Sequence, residues 1–159
     1  MNLEGRTVTV KLELYSVDTI ADWFLAKSSM TQKKLQKLVY YTQGWSNALL
    51  KQPIIDTDFE AWIHGPVSRK LYSKYNEQGW LDISKLDRAP VIDNSKVEDL
   101  LESVWLTYSD LDEDSLEALT STEEPWKETR IDCKVNETSH KIISNQTMGE
   151  FYRSIQIEG

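Results

Sequence analysis

TQKKLQKLVYYTQGWSNALL, residues 31–50, decides how this chain is read. Leu35, Leu38, Val39, Thr42, Trp45 and Leu49 recur at the three- and four-residue spacing of one helix face, and Thr31 stands where a helix cap belongs. The spacing predicts a long helix. Gly44 falls inside it and costs about 1 kcal/mol against Ala, so another element is expected to pack closely there. Tyr40 and Tyr41 are adjacent and diverge by about 100° around the axis, so one ring is expected to pack and the other to look outward.

Working outward, Ser16 caps a preceding helix whose apolar positions are Val17, Ile20, Ala21, Phe24 and Leu25. Before it, Val8, Val10, Leu12 and Leu14 alternate with polar residues, the period of a half-buried strand over 6–15. After a turn at Gln52-Pro53, Phe59 to Ile63 reads as extended. Gly65-Pro66 is then expected to start a helix striped by Val67, Leu71 and Tyr75 and closed by Gly79. Ser95 and Glu98 have the spacing of a capping box ahead of the stripe Val97, Leu100, Leu101, Val104, Trp105 and Tyr108. A short acidic helix over Leu111–Leu119, a turn begun by Pro125-Trp126 and irregular chain over 131–143 follow. Met148, Phe151, Tyr152 and Ile155 mark a closing helix. The expected fold is mainly α: a single compact domain of about six helices over 16–159, preceded by a strand-like extension, residues 1–15, as a minor β element near the N-terminus.

The 159 residues suffice for one core, and 40% hydrophobic with 28% charged residues is a globular composition. One cysteine, Cys133, allows no internal disulfide and fits a reducing cytoplasm. MNLEGRTVTV lacks the basic-then-apolar pattern of a signal peptide, and no apolar run reaches membrane-spanning length. The net charge of −8 opposes nonspecific nucleic-acid binding. It is uneven: residues 1–80 hold 10 basic and 8 acidic side chains, residues 81–159 hold 8 and 18. Seven acidic residues fall between Asp110 and Glu124 with no basic one, and Glu113 and Glu117 are expected on an exposed face that steers a basic partner.

Chemistry-bearing patterns are scarce. His64 and His140 are the only histidines, no metal-ligand spacing or phosphate-cradling glycine loop occurs, and no cofactor is expected. His64 with Glu60 is the one acid–base couple that neighbouring positions offer, and Cys133 is a lone thiol. Trp62 and Trp126 each stand beside a proline-initiated turn, either as core anchors or as partly exposed grips for a partner.

The run IADWFLAKSSMTQKKLQKLVYYTQGWSNALLKQPIIDTDFEAWIHGPVSRKLY resembles the Panacea domain, the SocA-like antitoxin domain. The resemblance is carried by Thr31, the Leu35–Tyr41 block, Gln43-Gly44-Trp45, Glu60-Ala61-Trp62, Gly65-Pro66-Val67 and Leu71-Tyr72. Later come Leu119-Thr120 with Glu123, Pro125 and Trp126. Ser121 stands where that second signature often has a His. The resemblance implies a bacterial, phage or prophage protein, cytoplasmic and non-enzymatic. Such a protein neutralises a toxin by direct contact or hands it to a protease as an adaptor. A phage-encoded inhibitor of a host defence protein is the alternative, and a weak enzyme using His64, Glu60 or Cys133 a distant third. The residues expected to face a protein partner are Tyr40, Tyr41, Trp62, His64, Arg69, Tyr72, Glu113, Glu117 and Trp126.

Overall fold

The computed structural model describes residues 11–156. In chain order, the elements are α1 (Val17–Leu25), α2 (Gln32–Leu49), β1 (Glu60–Trp62), β2 (Gly65–Val67), α3 (Arg69–Tyr75), a single 3-10 turn (Asn76–Gln78), α4 (Ser95–Tyr108), α5 (Glu113–Thr122), α6 (Glu124–Thr129) and α7 (Asn145–Gln156). The fold is mainly helical, as its periodicity predicts, with one two-stranded antiparallel sheet.

Thr31 caps α2 by accepting from the Lys34 amide, and Ser16 caps α1 by accepting from the Thr19 amide. Fourteen of the eighteen residues of α2 are buried, which makes it the central helix rather than a one-sided surface helix. Its apolar stripe meets α1, α4 and α7. The polar side is buried as well, because it is stitched to irregular backbone. Gln43 Oε1 accepts from the amides of Ile54 (3.0 Å) and Ile55 (3.1 Å), while its Nε2 donates to the Ile55 carbonyl (3.0 Å). Gln36 does the same for Ser68, accepting from its amide at 2.8 Å and donating to its carbonyl at 3.0 Å. Each glutamine amide replaces a strand partner for chain that would otherwise bury unpaired peptide groups.

The close approach expected at Gly44 is made by α7: a Cβ there would lie 2.7 Å from the Tyr152 ring. Lower on the same helix pair, Arg153 donates to the carbonyls of Ala48 and Asn47 (both 3.3 Å), placing a cation at the negative end of α2.

Several expectations change. Gly65-Pro66 does not open a helix. Gly65–Val67 pairs antiparallel with Glu60–Trp62, Ser68 caps α3 through the Leu71 amide, and Val67 belongs to the strand. Gly65 has φ +109°, a conformation that no helix start supplies and that favours glycine. The cap of α4 is Asn94, not Ser95, and Glu98 instead accepts from Trp23 Nε1 at 3.1 Å. Val8 and Val10 lie outside the described residues. Leu14 is 55% exposed, and among the described residues of the extension Tyr15 makes a bridge, parallel to Ile55.

Candidate functional site

β1 and α3 build one polar, aromatic face. Ala61 points into the core, so Glu60 and Trp62 emerge together on the other side of the strand. The outer edge of β1 is taken by the 139–143 segment: the Ala61 amide donates to the Lys141 carbonyl and the Ile143 amide to the Phe59 carbonyl, both at 2.8 Å. This pairing sets His140 beside Glu60. From α3, Arg69 reaches back with Nε and Nη2 to the two oxygens of Glu60 (3.1 and 2.9 Å), a bidentate pair. Trp62 Nε1 donates to Glu60 Oε1 at 2.8 Å. Around the Trp62 ring stand Tyr72 (5.0 Å, edge-on), His140 (5.6 Å, edge-on) and the Arg69 guanidinium (5.7 Å).

Burial pushes the Glu60 carboxyl up, but the hydrogen bonds from Arg69 and Trp62 outweigh it and hold the group below the usual glutamate value. The carboxylate is sunk, with its side chain 13% exposed, while Arg69 is 57% exposed. Beneath the face, Trp126 Nε1 donates to the Trp62 carbonyl (2.8 Å) and Arg130 Nη1 to the Ala61 carbonyl (2.9 Å), so α6 braces β1 from within.

His64 does not pair with Glu60. It sits 75% exposed at the hairpin turn, with Nδ1 2.9 Å from Glu117. Glu117 also binds Lys33, which holds Asp114 at 3.0 Å. Glu113 accepts from Thr31 Oγ1 at 3.1 Å. Part of the acidic stretch is therefore tied down: Lys33 of α2 supplies a cation to Asp114 and Glu117. Glu123 is not exposed either. It is buried between α2 and α7, accepting from Tyr41 (2.9 Å) and Tyr152 (2.8 Å), and burial raises its carboxyl to about 7 despite those bonds. Both Tyr40 and Tyr41 are buried, so neither ring looks outward. Tyr41 stacks on Tyr108 at 3.9 Å, and Tyr40 packs edge-on to Phe59 and Tyr152.

The family model described as "Antitoxin SocA-like, Panacea domain" matches residues 35–127, more than half of the chain. The chain belongs to that family. No curated protein and no solved structure matches it.

In this Panacea domain the signature blocks pack on one another. Gln36 and Lys37, from the first block, hold the backbone of the Gly65–Ser68 block; Lys37 Nζ donates to the Pro66 carbonyl at 3.2 Å. Lys37 is buried, and desolvation lowers its amine to about 7. Tyr41 holds Glu123, and Trp126 holds the backbone of Trp62. Much of the signature is thus internal joinery. Among the expected partner-facing residues, Trp62, Arg69 and Tyr72 come together on the surface, His64 lies apart against Glu117, and Glu113 accepts from Thr31. Tyr40 and Tyr41 are core, and Trp126 is half-buried support. Sequence reading missed His140 as a member of the face: 71 positions separate it from Arg69, and only the pairing of residue 142 with Glu60 brings it in. Among the described residues no group of three or more His, Cys, Asp or Glu is placed to hold a metal ion, and no helix is long and apolar enough to cross a membrane.

Proposed function

We propose that this chain is an antitoxin-type binding protein of a bacterial or phage toxin–antitoxin system, acting by protein–protein contact and not by catalysis. Membership of the SocA-like family carries this reading. The contact face is the surface built by Trp62, Arg69, Tyr72 and His140, where a tryptophan, a tyrosine and an arginine lie side by side. These three residue types dominate the energetics of protein interfaces. Most of this face belongs to a hairpin and a capped helix, so a partner meets preformed geometry and little ordering cost is paid on binding.

The test is co-expression. A small toxic gene adjacent to this one should arrest growth alone and be silenced by the wild-type chain. Tyr72→Ala combined with Arg69→Ala should lose silencing while the purified variant keeps its helical circular dichroism. Following the toxin's half-life in the same cells separates plain blocking from delivery to a protease. Growth unaffected by every neighbouring gene would sink the toxin assignment and favour a host protein as target.

A further inference from the structure

The contact face has a one-sided hydrogen-bonding character. Glu60, the half-buried carboxylate of the face, already accepts from Trp62 Nε1, Arg69 Nη2 and Arg69 Nε. His140 Nδ1 lies 2.9 Å from Arg69 Nη2 and 3.2 Å from Glu60 Oε1; in the tautomer that accepts from the guanidinium, which can only donate, the ring proton is on Nε2. Among the described residues, Arg69 Nη1, His140 Nε2 and the Tyr72 hydroxyl have no partner, and all three can donate. The negative end of the Arg69–Glu60 pair is sunk and the positive end lies outside, so the pair presents a cation to solvent. Arg69, Trp62 and Tyr72 also come from the half of the chain with the basic excess, although the whole chain carries −8.

From this geometry we infer that the face docks an acidic protein segment, one carboxylate taking Arg69 and His140 while a neighbouring apolar side chain lies on Trp62 and Tyr72. The inference rests on the reading of this face as the contact site and adds the chemistry of what it accepts. A carboxylate matches the free donors in number and sign. A nucleic acid offers phosphates of the same sign, but its continuous charge would be opposed by the net charge of this protein over its whole length. A short acidic segment meets only the local cation.

The experiment uses the full-length chain labelled with nitrogen-15 and a short Glu- and Asp-rich peptide carrying one Phe. The signals followed are the Trp62 indole N–H and the Arg69 Nε–H. The acidic peptide should shift both in a saturable way, its affinity falling as salt rises. The same peptide with Gln and Asn in place of the acids should bind about tenfold more weakly. Arg69→Glu, read on the Trp62 signal alone, should abolish the shift. Because that variant sets a second carboxylate beside Glu60, His140→Ala is measured with it. It leaves the Arg69–Glu60 pair in place and should weaken binding about threefold with an unchanged melting temperature. Absence of shifts, equal binding of the amide peptide, or tighter binding of a single-stranded oligonucleotide would each overturn the inference. None of these results touches toxin silencing, so this chemistry and the antitoxin assignment fail separately.

Discussion

Gly65→Val should be the most damaging single change at the hairpin. Gly65 has φ +109°, where a residue with a Cβ is strained by about 1–3 kcal/mol. That Cβ would sit 2.7 Å from Lys37 Cε and 3.0 Å from Thr120 Oγ1. Lys37 cannot swing aside at low cost, since it is buried and donates to the Pro66 carbonyl. Overpacking of this kind adds about 1–3 kcal/mol, and the two γ-methyls of valine add bulk beyond the Cβ that is already crowded. The total is about 2–6 kcal/mol. For a chain of this size each kcal/mol moves the melting temperature by about 2–4 °C, so a drop of about 10 °C is expected from the middle of that range. Two controls separate the causes. Gly79→Ala also carries a positive φ, +61° with ψ −128°, but its Cβ would meet nothing within 4 Å, so it should cost backbone strain alone, about 1–3 kcal/mol. His64→Ala removes an exposed ion pair with Glu117 and should cost less than about 1 kcal/mol. Thermal melts by circular dichroism measure all three. A Gly65→Val melt within 3 °C of Gly79→Ala, or His64→Ala as the most harmful of the set, would refute the reasoning.

Stability should pass through a minimum near neutral pH. The raised Glu123 carboxyl contributes stability that is full below the unfolded value of 4.5 and lost as pH rises through about 7. The lowered Lys37 amine contributes stability present above its unfolded value of 10.5 and lost as pH falls through about 7. The limbs amount to about 3 and about 5 kcal/mol at most, and urea melts of Glu123→Gln and Lys37→Met should flatten the acid and alkaline limbs respectively. Glu117→Lys should lower the melting temperature by several degrees, about 1–2 kcal/mol, because it sets a cation against Lys33 and His64; an unchanged melt would restore the picture of a free acidic face.

The helices and most of their ends were legible in the order of residues alone. Thr31 and Ser16 cap where their hydroxyls precede an apolar period, and the stripe of α4 is buried at Val97, Leu100, Leu101, Val104 and Tyr108. These are local matters: a cap needs an amide three residues away, and a stripe needs only the pitch of the helix. Gly44 announced a close neighbour but could not name Tyr152, which lies 108 positions later. The reading of Gly65-Pro66 as a helix start failed because proline at a first helical position and proline on a short strand look alike locally. What selects the strand is the β1 partner and the grip of Gln36 and Lys37 on its backbone. Only the tertiary structure decided the electrostatics. Glu123 became a buried acceptor and Glu117 half of an ion pair because side chains from α2, α7 and the hairpin turn reach them. It also decided the contact face, whose members Glu60, Arg69 and His140 are joined by strand pairing. Charge and hydrogen bonding act between whatever groups the packed chain brings within a few ångströms, and sequence separation gives no measure of that distance.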